Sequence, residues 1–135
     1  MTRLLSALCL VLLLFAAAFA GEKESAAESA ALDWLSYVDA GRYVTSWTNA
    51  GATFKKQLTP QAWEDAVSRA RKPLGVLRSR KVKAAQYANS LPGAPDGEYV
   101  VLQFDSSFEN KAEGIETVTT VFEGGAWRVV GYFIR

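Results

Sequence analysis

Hydrophobic and polar residues follow two different periods along the chain, and the period changes at about residue 75. Before this point apolar residues recur every three or four positions, as in helices that bury one face. The predicted helices cover residues 25–40, residues 42–49 and a segment from Thr59-Pro60 to just before Pro73. After this point apolar residues alternate with polar ones, which predicts strands over residues 76–90, 98–108, 115–122 and 126–134.

Helices followed by an antiparallel meander are typical of the α+β class. The pattern predicts N-terminal helices packed on a four-stranded antiparallel meander sheet with a cone-like shape. Gly41 is placed to end the first helix, and Thr59 to cap the third. Gly124-Gly125 predicts a two-residue hairpin before the last strand.

The apolar positions also predict which side chains are buried. On the helices they are Ala27, Ala31, Trp34, Leu35, Val38, Trp63, Ala66, Val67 and Ala70. On the strands they are Val100, Leu102, Phe104, Trp127, Val129 and Phe133. In a domain of this size the aromatic residues are expected to form the core, and the alternative is that some of them line a ligand pocket.

The first 20 residues have the pattern of a cleaved Sec-type signal peptide. Arg3 precedes an uncharged run, Leu4 to Ala20, which ends in the small-x-small sequence Ala18-Phe19-Ala20. The alternative is a transmembrane anchor, although the run is at the lower limit of about 17–25 residues for a span. We therefore expect a single α+β domain at residues 21–135, periplasmic or secreted, with no transmembrane anchor after cleavage.

Composition excludes several classes of chemistry from that domain. It contains no histidine, and Cys9, the one cysteine, lies in the predicted signal peptide. Histidine triads, cysteine–histidine pairs, disulfides and the usual zinc sites are therefore impossible in it. We predict no catalytic residue, no metal site and no cofactor.

Charge is distributed unevenly. Residues 67–95 contain seven basic and no acidic side chains, whereas both flanking segments are acidic. We call these seven residues the basic stripe, and they are the candidates for binding an anion or a partner: Arg69, Arg71, Lys72, Arg78, Arg80, Lys81 and Lys83. One interpretation is an edge strand whose lysines prevent aggregation. The other is contact with an anionic envelope component or an acidic protein. Nucleic acid is not expected, because the stripe lacks interleaved aromatic residues.

Several segments resemble one bacterial family of exported proteins, a domain of unknown function with the number 4019. They are the sequence DWLSYVDAGRY, the segment Arg71 to Arg80, Gly97-x-Tyr99, Phe108-x-x-Lys111, Glu116-x-Val118 and WRVVGY from Trp127. The resemblance implies an exported domain and no catalytic residue. The order of elements is also remotely similar to the cone-shaped, cystatin-like fold of ketosteroid isomerase and nuclear transport factor, which hosts enzymes and binding proteins alike.

Two acidic residues lie in the predicted sheet. Asp105 or Glu116 could act as a general base in an apolar cone, with Tyr99 or Tyr132 as a hydrogen-bond donor to an oxyanion. The alternative, which we expect, is that both lie on the solvated face and that Glu116 pairs with Lys111 across the turn. The sequence thus favours a non-enzymatic binding or interaction module of the cell envelope over a small-molecule enzyme that uses a carboxylate and a tyrosine.

Overall fold

The computed structural model describes the backbone of residues 2–135 and the side chains of residues 21–135. Four α-helices come first: α1 (Thr2–Asp39), α2 (Tyr43–Thr48), α3 (Ala52–Gln57) and α4 (Pro60–Arg71), followed by a 3₁₀ turn at Lys72–Leu74. Four strands follow: β1 (Leu77–Ala88), β2 (Tyr99–Phe108), β3 (Lys111–Glu123) and β4 (Ala126–Ile134). They form one antiparallel sheet in the order β1-β2-β3-β4, so the predicted α+β fold with its meander is confirmed.

The predicted signal peptide, residues 1–20, lies outside the residues whose side chains are described. Within residues 21–135, no helix is long and apolar enough to cross a bilayer.

The local sequence correctly predicts how α1 ends and how α4 begins. After α1, the N–H of Gly41 bonds to the carbonyl of Val38 and that of Arg42 to Tyr37, with Gly41 at φ 74°, which is a Schellman ending. The Thr59 hydroxyl accepts a hydrogen bond from the N–H of Ala62 at the start of α4. The helix α3 was not predicted, because its first free N–H, at Ala52, is bonded by the distant Glu123 carboxylate.

The core lies between the helices and one face of the sheet. All five predicted α1 residues are buried there, with Val100, Leu102 and Phe104 of β2 opposite them. The prediction for α4 was partly wrong: Ala66 and Ala70 are exposed, and the buried residues are Trp63, Val67 and Arg71, one turn apart.

The prediction for β4 was also partly wrong. Trp127 and Val129 face the helices, but Phe133 is 57% exposed on the opposite face. The register shows why: Thr119 pairs with Gly131 and Thr120 with Val129, so Val130 is an extra residue in β4. Such a bulge reverses the side-chain alternation beyond it, and Tyr132 takes the inward position.

Candidate functional site

Aromatic side chains fill the space between the helices and the sheet. Trp34 packs against Phe54, Trp63 and Tyr132, with ring centroids 5.6–6.4 Å apart. The indole N–H groups of Trp34 and Trp63 donate to the backbone oxygen and the hydroxyl of Ser46, both at 2.8 Å. With their polar atoms paired and their rings in mutual contact, these residues form the core. Phe54, in the helix that was not predicted, is a core residue that the sequence analysis missed.

Glu116 occupies the helix-facing side of β3 and is fully buried, so the prediction that it lies on the solvated face was wrong. Its Oε1 accepts hydrogen bonds from Arg80 Nε at 2.7 Å and the Ser106 hydroxyl at 2.5 Å. Its Oε2 accepts from the Tyr132 hydroxyl at 2.5 Å and Arg80 Nη2 at 3.2 Å, and Arg71 Nη1 lies 3.8 Å away. The pairing with Lys111 was wrong for the same reason, since Glu116 points inward to these groups. Asp105, by contrast, is exposed as expected.

Asp39, at the end of α1, completes a cluster of four charged residues. Its carboxylate accepts from Arg80 Nη1 and Nη2 at 2.8 and 2.9 Å and from Arg71 Nη2 at 2.8 Å. Two guanidinium groups thus face two carboxylates, which makes the cluster neutral. We call Asp39, Arg71, Arg80 and Glu116 the buried charge cluster, of which Asp39, with a side chain 22% exposed, lies at the solvent edge. The cluster connects α1, α4, β1 and β3, and a buried charge is tolerable only when it is paired in this way.

The pKa values in and beside the cluster follow from these contacts. Burial alone would raise the pKa of Asp39, but hydrogen bonds from Arg80 and Arg71 hold it below its usual range. Burial and the adjacent Glu116 charge together raise the pKa of Tyr132 well above its ordinary value. Tyr132 therefore stays protonated and donates to the Glu116 carboxylate.

The cluster has the carboxylate and the tyrosine that an isomerase-like site would need. However, the Glu116 carboxylate has no free lone pair that could accept a proton from a substrate. A general base must have an oxygen within reach of a substrate proton. Each Glu116 oxygen already accepts two hydrogen bonds, and two arginines balance the charge that a base would use. The arrangement holds helices to the sheet.

The structure divides the basic stripe into two groups. Arg71 and Arg80 belong to the buried charge cluster, with side chains 5% and 8% exposed. The other five are exposed and make no ion pair within 4 Å of a described residue: Arg69, Lys72, Arg78, Lys81 and Lys83. We call these five residues the exposed basic surface.

Three members of this surface lie on β1, at one edge of the sheet. Lys81 pairs in register with Asp105 of β2, whereas Arg78 and Lys83 fall where the register shifts. Both are extra residues in bulges and have no partner residue across the strand pair. The expectation of an edge strand is confirmed by the strand order.

No group of three acidic side chains within the described residues could hold a metal ion.

Fold and site together define a small α+β domain with a filled interior, a neutral buried charge cluster and a cationic sheet edge. No curated protein matches the chain. The family described as "Protein of unknown function (DUF4019)" matches residues 30–132, which is well over half of the sequence. The chain belongs to this family.

Proposed function

We propose that this domain is a non-enzymatic interaction module of the bacterial cell envelope, exported to the periplasm or beyond, and that it binds an acidic protein partner through the exposed basic surface. The observation that carries the proposal is the group of exposed cations on and beside β1 that form no ion pair within 4 Å with a described carboxylate. Unneutralised charge of one sign attracts an oppositely charged partner and accelerates association with it.

An acidic protein is favoured over an anionic membrane by the shape of this surface. The cations follow a strand edge, and the acidic Asp105 lies beside Lys81 on the open sheet face. A membrane surface would have to accept that carboxylate together with the lysines, whereas a folded or extended partner can place its acids opposite individual cations.

The alternative function, a small-molecule enzyme using a carboxylate and a tyrosine, would depend on Glu116 and Tyr132. Their contact of 2.5 Å is the observation in its favour. The two arginines on the same carboxylate weigh against it.

The test is binding of poly-L-glutamate by residues 21–135 at low and at physiological salt. We expect salt-sensitive binding that the triple variant Arg78→Ala/Lys81→Ala/Lys83→Ala loses, because screening and charge removal act on the same attraction. Arg80 is left unchanged, since its removal would disturb the buried charge cluster.

A matched control removes three cations elsewhere, in the variant Arg42→Ala/Lys56→Ala/Arg128→Ala, where all three residues are exposed. This control has the same net charge as the β1 triple variant and should still bind poly-L-glutamate. Equal loss in both variants would show that net charge and not this surface matters, and would contradict the proposal. Binding to phosphatidylglycerol vesicles with none to poly-L-glutamate would identify a membrane partner instead.

A further inference from the structure

The free edge of β1 is the part of the exposed basic surface that can form hydrogen bonds in a regular array. In the strand order β1-β2-β3-β4, β1 pairs with β2 on one side only. Beyond the second bulge, Ala84 to Ala88 pairs with β2 without interruption. This stretch has no charged side chain, and on its free side no described strand pairs with its backbone N–H and C=O groups. An unpaired edge of this kind is a template for another strand.

The two faces of β1 differ in chemistry near that edge. On the open face of the sheet lie Lys81, opposite Asp105, and Ala84, opposite Gln103. On the helix-facing side lies Val82, a valine that is 37% exposed. An added strand would therefore meet a cation on one face and an apolar side chain on the other.

A groove of about 300 Å³ continues the helix-facing side between β1 and the first described turns of α1. Its β1 wall runs from Val82 through Lys83 and Ala84 to Ala85, and its α1 wall includes Glu24 and Glu28. The two glutamates outnumber the one cation of the groove, Lys83, so their net negative charge repels acidic side chains on this face of an added strand. The acids of such a strand must then lie on the other face, next to Lys81.

A second copy of the domain does not fit this edge. Its own β1 has four basic and no acidic side chains, so it offers no acid to Lys81, and any register that opposes the cations of the two strands is destabilised by like charge. The residues that prevent self-pairing thus select a strand of opposite charge.

We propose that an extended segment of an acidic partner, with acidic and apolar residues in alternation, adds to β1 as a fifth strand. This inference rests on the proposed function and deepens it by giving the partner a conformation and a residue pattern. Its acids face Lys81 on the open face, its apolar residues face Val82 and the groove, and its backbone pairs with Ala84 to Ala88.

The test uses a fluorescently labelled, end-capped peptide, Thr-Glu-Val-Glu-Val-Glu-Val-Thr, and anisotropy with residues 21–135. We expect binding that weakens about tenfold or more in Lys81→Glu/Lys83→Glu, because attraction becomes repulsion. Lys56→Glu/Arg128→Glu carries the same charge change away from β1 and should bind as the wild type does. A block peptide, with the glutamates first and the valines after them, should bind about tenfold more weakly or worse, since its charges cannot stay on one face.

Backbone methylation separates strand addition from simple charge attraction. In a strand, alternate N–H groups point to opposite edges, so methylating the valine nitrogens blocks one edge and methylating the glutamate nitrogens blocks the other. Strand addition requires that only one of these two peptides lose binding. Equal effects of the two methylations, or no binding by the unmodified peptide, would overturn the inference. Poly-L-glutamate binding would still decide the proposed function separately.

Discussion

At the scale of single residues, Glu116 shows how environment determines what an ionisable side chain can do. A carboxylate beside a tyrosine hydroxyl is a familiar pair for proton transfer, and Glu116 and Tyr132 are in contact. The same carboxylate also receives Arg80 and lies near Arg71, so its charge is balanced and its oxygens are occupied. Substitution of any residue of the buried charge cluster should therefore lower the free energy of unfolding.

Substitution of Glu116 by alanine should lower the free energy of unfolding by about 3–5 kcal/mol, because it leaves two buried guanidinium groups without this partner. Glu113→Ala, at an exposed position of the same strand, is the control and should change stability by no more than about 0.5 kcal/mol. Urea unfolding of the three proteins gives the comparison. Similar stabilities for Glu116→Ala and the wild type would show that the buried charge cluster does not hold the fold.

Asp39 predicts an acid dependence of stability. Its pKa is lowered in the folded state, so below about pH 4 the unfolded chain binds a proton that the folded protein does not. This contribution to stability is present above the unfolded pKa and is lost as the pH falls through the folded pKa. In urea unfolding between pH 3 and 6, Asp39→Asn should lose stability less steeply than the wild type. Asp33→Asn, at an exposed position of α1, should keep the wild-type slope, and parallel curves for Asp39→Asn would refute the assignment.

At the scale of elements, one bulge decides which half of β4 faces the core. If Val130 were paired regularly and not bulged, the alternation that buries Val129 would also bury Phe133. With it, Phe133 turns outward and Tyr132 reaches Glu116. The bulge thus links the sheet register to the buried charge cluster.

Two phenylalanines provide the test of this register. Phe104→Ala, in the core, should cost about 3–5 kcal/mol, because it removes a buried ring and leaves a cavity. Phe133→Ala should cost less than about 1 kcal/mol, since the ring is already largely in water. Chemical denaturation measures both. A large loss for Phe133→Ala would mean that the β4 alternation continues unbroken or that another chain covers this face.

At the scale of the whole molecule, the positive charge of the middle segment is used in two ways. Part of it lies inside, where Arg71 and Arg80 join helices to the sheet, and the rest lies outside at the β1 edge. A domain with near-balanced charge in total therefore keeps a cationic edge. This separation underlies the proposed function.

Cleavage of the predicted signal peptide should leave Gly21 as the first residue. The small residues Ala18 and Ala20 occupy the positions that signal peptidase requires, so N-terminal sequencing of the exported protein should read Gly-Glu-Lys-Glu. Recovery of intact Met1 in the membrane fraction would favour the anchor instead.

The sequence by itself determined the α+β class, the order of all helices and strands except α3, and most of the buried faces. Local causes suffice for these features: the Thr59 cap, the Gly41 helix ending and the Gly124-Gly125 hairpin depend on residues a few positions apart. The alternation of apolar and polar residues in β2 also predicted its buried face correctly. No bulge interrupts its pairing with β3 from Tyr99 to Ser106, so the alternation is never reversed.

Tertiary structure alone decided the features that depend on distant residues. The start of α3 depends on Glu123, 71 positions away along the chain, and the inward turn of Arg80 depends on Asp39, 41 positions away. Arginine and glutamate are ordinarily solvated, so no local pattern distinguishes Arg80 from Arg78, or Glu116 from Asp105. Their burial follows from charge pairing across four elements, and only the folded chain brings those charges together.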